Sequence, residues 1–162
     1  MKLKNTLSRL TFVWIAVIFS SCAFAGDFVV GAGPTDFDDI DVAIIELEYH
    51  SDPVWEVAGA DISIAGTLIG SDNGDFFVGA GVSAVRPFSK NWFIEASFMP
   101  GYFDNADEET DLGNDLEFRS LIGIGRTLSN GIGVSLAISH KSNASLGSSN
   151  PGVNALTLRF RF

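Results

Sequence analysis

The sequence predicts an all-β protein, an eight-stranded antiparallel transmembrane β-barrel of the outer-membrane type. Three observations support this prediction. The chain is built of short segments that alternate with period two, as strands do. No apolar run after residue 25 approaches the length of a membrane-spanning helix. In the alternating segments the bulky apolar residues share one face, while small and charged residues share the other, as in a barrel with lipid outside and a polar lumen.

The last two strands, within residues 131–162, show the pattern most clearly. In the first of them one face carries Ile132, Val134, Leu136 and Ile138, and the other carries Gly133, Ser135, Ala137 and Ser139. In the second, one face carries Leu156, Leu158, Phe160 and Phe162, opposite Ala155, Thr157, Arg159 and Arg161. An exported β-sandwich also has alternating strands, but its minority face is not rich in Gly, Ala, Ser and charge. The small and charged face suits a narrow lumen.

Eight strands are predicted in order along the chain. The first six are 28–33, 40–49, 54–69 with a bulge near 59–61, 76–85, 92–102 and 115–128, and the last two are those described above. The shorter connections, 50–53, 86–90 and 129–131, are expected in the periplasm. The others, 34–39, 70–75, 103–114 and 143–150, are expected outside the cell. Turn residues such as Ser129-Asn130-Gly131 fit tight hairpins.

Residues 1–25 are predicted to be a cleaved signal peptide, and residues 26–162 a single barrel domain. Lys2, Lys4 and Arg9 precede an apolar segment, and an A-x-A site ends at Ala25. A rival interpretation makes Cys22 a lipoprotein cysteine. After cleavage at Ala25 the mature chain contains no cysteine, so it forms no disulfide.

The mature chain is strongly acidic. Its net charge is −13, since seven basic residues remain of ten and all twenty acidic ones are kept. Nucleic acid is therefore not an expected partner. The acidic residues gather in the predicted outer loops, either as a solvated rim or as a rim that recruits divalent cations bridging lipopolysaccharide phosphates. No zinc spacing, phosphate-binding loop or cofactor motif is present, and no metal or cofactor is expected.

Three polar residues continue the lipid-facing rows of the last two strands. His140 and Ser142 extend the row of one strand, and Asn154 extends that of the other. Polar groups facing hydrocarbon need partners or the interface. His is the usual base that activates a Ser, and a third group must fix the tautomer of the His. These residues are the candidates for catalysis, whereas His50 is expected to be a surface residue of a turn.

The end of the chain resembles the outer-membrane lipid A 3-O-deacylase family, also called acyloxyacyl hydrolases. The resemblance rests on the segment from His140 to Ala144, HKSNA, on NPGVN ending at Asn154, and on the terminal Arg161-Phe162. It implies an eight-stranded outer-membrane barrel that removes the 3-O-linked acyl chain of lipid A in the outer leaflet. It also implies Ser142 as nucleophile, His140 as general base, and Asn150 with Asn143 in the oxyanion hole. The terminal Phe162 resembles the signal read by the barrel assembly machinery.

One residue departs from the family pattern, which has Glu where this chain has Asn154. No acidic residue follows Glu117 in the sequence. Asn can orient a His but cannot offset the imidazolium charge. The esterase hypothesis therefore includes weakened activity, a changed substrate or loss of activity. The alternatives are a non-catalytic small outer-membrane barrel with a structural or surface-interaction role, and a soluble lipid-binding β-protein. Whether a homodimer forms is left open by the sequence.

Overall fold

The computed structural model describes residues 26–37, 40–106, 108–147 and 149–162. The predicted signal peptide lies outside these residues. They form nine strands, β1 (Gly26–Phe37), β2 (Ile40–Ser51), β3 (Trp55–Val57), β4 (Ala60–Ser71), β5 (Phe76–Ser89), β6 (Trp92–Asp104), β7 (Leu116–Thr127), β8 (Gly133–Ser142) and β9 (Val153–Arg161). A single 3-10 turn, Glu108–Thr110, lies in the loop before β7.

Eight of the strands close into a barrel. Each strand from β4 to β9 pairs with the next along the chain, β9 pairs with β1, β1 with β2, and β2 with β4. All these pairings are antiparallel. Closure leaves the barrel wall without a free edge. The prediction of an eight-stranded antiparallel barrel is confirmed. None of the helical segments within the described residues is long and apolar enough to cross a membrane.

The third predicted strand is two strands. The expected bulge near 59–61 is wrong, because Val57 pairs with Ala60 and the chain reverses there. Ala58 and Gly59 both have positive φ angles, 52° and 76°, as a two-residue hairpin turn requires. The expected turn at 86–90 is also shorter, because β5 continues to Ser89 with an irregularity between Pro87 and Ser89.

The outer wall is apolar and the lumen is filled. Large apolar side chains project outward from every long strand, among them Ile45, Leu68, Val78, Phe98, Ile122, Leu136 and Leu158. The connections after β4, β6 and β8 lie at one end of the barrel. The lumen at this end holds an apolar cluster of Val42, Ile44, Ile69, Phe77, Phe103, Leu112, Val153 and Ala155. The middle of the lumen holds charged side chains. This arrangement is the inverse of a soluble sandwich and is that of a membrane barrel.

The charged layer of the lumen is an ion-pair network. Arg119 bridges Glu46 (2.6 Å) and Glu48 (2.7 Å) with its two terminal nitrogens. Arg159 bridges the same two carboxylates from the other side. All four side chains are at most 1 % exposed. Each charge is therefore paired, which buried charges require.

His50 belongs to this network, and its expected place in a surface turn is wrong. It is the penultimate residue of β2 and is only 3 % exposed. Its Nε2 lies 2.8 Å from Glu48 Oε2, while Nδ1 lies 3.0 Å from Ser83 Oγ and 3.1 Å from an Arg161 nitrogen. A ring that donates from Nε2 and accepts at Nδ1 satisfies all three contacts. The strand parity that carries Glu46 and Glu48 inward carries His50 inward as well.

Candidate functional site on the outer wall

The register of β8 and β9 brings His140 and Asn154 together. The two residues are directly opposite each other in the antiparallel pair, and both are exposed on the outer wall. His140 Nδ1 lies 2.9 Å from Asn154 Oδ1. Directly opposite residues on one face have Cβ atoms ~5 Å apart, which lets these two short side chains meet. The pairing follows from the length of the loop that joins the strands.

The hydrogen bond fixes the tautomer of His140. An amide oxygen only accepts, so Nδ1 must carry the proton and donate it. In the neutral ring Nε2 is then left with a free lone pair. That nitrogen is the one that a general base would use, and it is turned away from Asn154.

Ser142 ends β8 on the same face as His140. It is half-buried and lies opposite Phe118 of β7. Residues two apart on one strand face have Cα atoms ~6–7 Å apart. Within the described part of the chain, no hydrogen bond joins the Ser142 hydroxyl to His140. Lys141, between them, points into the lumen with Nζ 4.2 Å from the centre of the Phe103 ring.

The chain reverses in strained turn geometry just after Ser142. Ala144 and Ser145 have φ angles of 54° and 63°, which L-residues with a Cβ rarely adopt. The Leu146 N–H donates to the Asn143 carbonyl (3.0 Å) and closes the turn. Two such residues in succession cost free energy that the surrounding contacts must offset, and strain of this kind gathers at functional sites.

Asn143 and Asn150 come together in this loop, but as supports of its backbone. The Asn143 backbone N–H donates to Asn150 Oδ1 (3.0 Å). The Asn143 side chain is fully buried and donates to the carbonyls of Leu112 (2.8 Å) and Ser149 (2.7 Å). All the N–H donors of Asn143 are therefore occupied. The amide nitrogen of Asn150, by contrast, lies on an exposed residue.

Gly152 covers the imidazole of His140. A Cβ placed on Gly152 would lie 2.9 Å from Cε1 and 3.4 Å from Nε2 of that ring. Gly152 also has a φ of 67°, which favours glycine. The Asn150-Pro151-Gly152 segment thus leads the chain past the ring and into β9 at a distance that only glycine permits.

The loop that carries Ser142 rests on the neighbouring loop. Backbone of Gly113 and Gly147 approaches so closely that a Cβ on Gly147 would lie 2.2 Å from the Gly113 carbonyl oxygen. Leu112, beside Gly113, is 1 % exposed in the apolar cluster of the lumen. Leu112 therefore anchors the loop before β7, and this loop in turn supports the one after β8.

The sequence predicts His140, Ser142 and Asn154 as residues of the site. It does not predict Gly152, Leu112 or Asp36 as such. Asp36 lies on the outer wall opposite Asn154 in the β1–β9 pair. Parity along β1 would have placed it outward, since Val30 and Ala32 share its face. No group of three or more His, Cys, Asp or Glu among the described residues is arranged to hold a metal ion.

Comparison with solved structures finds the same barrel. The outer membrane enzyme PagL matches with a TM-score of 0.69 at 22 % identity, over 84 % of this chain and 98 % of that one. A de novo designed transmembrane β-barrel matches with a TM-score of 0.55 at 7 % identity, over 85 % and 94 %. Neisserial surface protein A matches with a TM-score of 0.50 at 8 % identity, over 84 % and 94 %.

Comparison by sequence identifies the family. No curated protein matches the chain. The family model described as lipid A 3-O-deacylase (PagL) matches residues 42–162, which include the site on β8 and β9. This match covers most of the chain and confirms the resemblance seen in its last residues. The chain belongs to the lipid A 3-O-deacylase (PagL) family.

Proposed function

We propose that this protein is an integral outer-membrane esterase that hydrolyses the 3-O-linked acyl chain of lipid A. The observation that carries the proposal is the hydrogen bond between His140 and Asn154 on the lipid-facing wall, two residues from Ser142. Membership of a deacylase family supports the reaction, and the apolar outer wall of the barrel supports the location.

The reaction follows the Ser-His pattern. The Ser142 hydroxyl attacks the carbonyl carbon of the ester while His140 Nε2 takes its proton. The bond from the carbonyl carbon to the 3-oxygen of the sugar then breaks, and that oxygen receives the proton from His140. Water hydrolyses the acyl-serine with His140 again acting as base, which releases the fatty acid and restores Ser142.

The tetrahedral intermediate needs hydrogen-bond donors for its oxyanion. The amide nitrogen of Asn150 is the candidate, because Asn150 is exposed beside Ser142 and holds the loop through its oxygen only. Asn143 contributes indirectly by fixing the backbone that follows the nucleophile.

The site lies at the height of the ester in the outer leaflet. From Gly131 to His140 the strand rises roughly 23 Å, given ~3.4 Å per residue and a tilt of about 40°. The apolar band of such barrels is about 25 Å tall. His140 and Ser142 therefore reach the outer edge of the hydrocarbon, where the acyl chains of lipopolysaccharide join their sugars. The exposed ring of the terminal Phe162 suits recognition by the barrel assembly machinery.

The first prediction is that Ser142→Ala abolishes release of the 3-O-linked acyl chain while the barrel still assembles. The measurement is mass spectrometry of lipid A from cells that express the protein, with assembly checked by heat-modifiable gel mobility. The matched control is Ser120→Ala, because Ser120 lies directly opposite His140 on β7 and is also exposed. We expect this control to keep activity. If only Ser120→Ala were inactive, the nucleophile would be Ser120.

A non-catalytic barrel is the second candidate, and the observation that favours it is the absence of a carboxylate at position 154. The same experiment separates the two. If the assembled wild-type protein leaves lipid A intact, the non-catalytic role is the correct one.

A further inference from the structure

Among the residues that the structure describes, no carboxylate lies within ion-pair distance of His140. The imidazolium that forms when His140 takes the Ser142 proton is stabilised by a carboxylate in ordinary triads. Asn154 fixes the tautomer but is neutral. Since no acidic residue follows Glu117 in the sequence, such a charge must come from an earlier strand.

The register of β1 and β9 places a carboxylate of β1, that of Asp36, in the same row as His140. Asp36 and Asn154 are direct partners in the β1–β9 pair, as Asn154 and His140 are in the β9–β8 pair. The neighbouring Thr35 is buried inside the barrel, and Asp36 is exposed on the outer wall. Asp36, Asn154 and His140 therefore form one row across three adjacent strands. Asp36 and Asn154 also line the same groove of the outer wall, together with Pro34, Ile138 and Leu156.

The side-chain amide of Asn154 can form hydrogen bonds to His140 and to Asp36 at the same time. Its oxygen and its nitrogen lie on opposite sides of Cγ, and the oxygen is occupied by His140. The NH2 group is thus turned away from β8, and β1 with Asp36 is the next strand on that side. Directly opposite residues on one face have Cβ atoms ~5 Å apart, close enough for an Asp carboxylate to accept from an Asn amide.

We propose that Asp36 is a positioning residue of the site. No hydrogen bond joins the side chains of Asp36 and Asn154, two residues that the structure describes, so the inference requires a rotation of the exposed Asp36 side chain toward Asn154. There its carboxylate accepts a hydrogen bond from the Asn154 NH2 group, holds the amide with its oxygen toward His140, and supplies the charge that stabilises the imidazolium. The pair of Asp36 and Asn154 thereby performs part of what one carboxylate at position 154 performs in the family pattern, since the charge lies one strand farther from the ring. The catalytic part of this inference rests on the function proposed above, whereas the hydrogen bond to Asn154 does not.

The expected strength follows from the spacing of the strands. Two strand spacings put the carboxylate ~10 Å from the imidazole, about a Debye length at physiological salt. At that distance a single charge stabilises the imidazolium enough to change the rate roughly 3- to 10-fold, according to the local dielectric. By register, Asp41 lies one strand beyond Asp36, and Ser120 on the other side of His140 is uncharged.

The kinetic test uses Asp36→Asn, which keeps the shape and removes the charge. We expect kcat to fall roughly 3- to 10-fold with KM unchanged, and Asp36→Glu to retain most of the activity. The matched control is Asp104→Asn, an exposed carboxylate at the end of β6 that is remote from His140. It should leave kcat unchanged. If the two Asn variants lowered kcat equally, the effect would be one of net charge, and the proposal would be overturned.

The same Asp36→Asn change is then tested in a second protein, the Asn154→Glu variant. Asn154→Glu places a carboxylate directly on His140, so Asp36→Asn should no longer lower kcat there. Two adjacent carboxylates repel each other, so we expect Asp36→Asn to leave kcat unchanged or higher in that background. An equal loss in both backgrounds would mean that Asp36 acts independently of Asn154 and would contradict the proposal.

The spectroscopic test does not depend on catalysis. The NMR signals of the Asn154 side-chain NH2 group in refolded barrel can be assigned with Asn154→Ala. Asp36→Asn should move these NH2 proton signals upfield, because a hydrogen bond to a carboxylate is stronger than one to an amide, and Asp104→Asn should not. Unchanged NH2 signals in Asp36→Asn overturn the proposal whether or not the protein cleaves lipid A. Shifted signals in a protein that leaves lipid A intact would confirm the pairing and refute the proposed function.

Discussion

The hydrogen bond between His140 and Asn154 determines which ring nitrogen of His140 can accept a proton. An amide at position 154 accepts from Nδ1 as a carboxylate does, and so leaves Nε2 free. What it cannot do is stabilise the charged ring. The geometry of the site is thus retained, and the electrostatic part of its task depends on neighbouring residues.

The second prediction concerns Asn154. Asn154→Ala should lower turnover by ~10²-fold or more, because the correct tautomer is no longer fixed. Asn154→Glu should raise turnover, since a carboxylate stabilises the imidazolium. Both are measured as initial rates of fatty-acid release from purified lipid A in detergent. Activity of the Ala variant equal to wild type would mean that His140 and Ser142 act as a dyad.

The third prediction concerns Gly152. Gly152→Ala should displace the His140 ring, because the new Cβ would lie 2.9 Å from its Cε1. The control is Gly131→Ala, which has a similar positive φ of 89° but no heavy atom within 4 Å of the added Cβ. Both variants should lose ~1 kcal/mol of stability from backbone strain. Only Gly152→Ala should lose most of its fatty-acid release; equal rates for the two variants would refute a role of Gly152 at the ring.

At the scale of elements, strand parity predicts which residues face outward, whereas the turns limit what can be predicted. The last two strands alternate without interruption, so the outward positions of His140, Ser142 and Asn154 could be read directly. Pro34 stopped the first predicted strand at Gly33, yet β1 continues to Phe37. A proline lacks an N–H but is tolerated where the ladder does not need one. The sequence therefore predicts Asp36 to lie in the 34–39 loop.

Two other differences between the predicted and the observed strands have similar causes. The sequence predicts a bulge near 59–61 because the alternation slips there, and an Ala–Gly pair lacks the Asn–Gly signal that would indicate the observed hairpin. The sequence predicts His50 at the surface because it lies in a predicted turn beside Pro53. Register between strands, which brings Asp36 to Asn154, depends on loop lengths and cannot be deduced from the alternation of one strand.

The fourth prediction concerns the support between the two loops. Asn143→Ala should remove the hydrogen bonds to the carbonyls of Leu112 and Ser149 and loosen the backbone after Ser142. We expect at least a 10-fold loss of fatty-acid release with the β-barrel intact by circular dichroism. Asn130→Ala is the control, since Asn130 caps a turn at the other end of the barrel by a bond to the Ile132 N–H. Equal rates for both variants would contradict a supporting role for Asn143.

At the scale of the whole molecule, the barrel is held together from inside. Arg119 and Arg159 each bridge Glu46 and Glu48, so the network ties β2 to β7 and β9 across the lumen. Polar side chains inside and apolar ones outside follow from a single rule, alternation along each strand. The cost of burying these charges is offset because each carboxylate meets both guanidinium groups.

The fifth prediction concerns this network. Arg159→Met leaves Glu46 and Glu48 short of a partner and should lower the free energy of unfolding by about 3–5 kcal/mol. The measurement is urea unfolding in lipid vesicles. Arg126→Met is the control, because Arg126 is exposed near the end of β7. Combining Arg159→Met with Glu48→Gln should recover part of the loss; no recovery would show that the loss comes from packing rather than from unpaired charge.

The filled lumen also determines whether the barrel can conduct ions. The four bridged side chains of the network and the apolar cluster above them occupy the section that an ion would have to cross. A patch of membrane that contains this protein should therefore show no steps of current under an applied voltage. A field of 100 mV acts on each elementary charge with only ~2.3 kcal/mol, and the paired carboxylates and guanidinium groups have no room to move in response. Cells that make this barrel in large amounts should therefore show no increase in the ion permeability of their envelope.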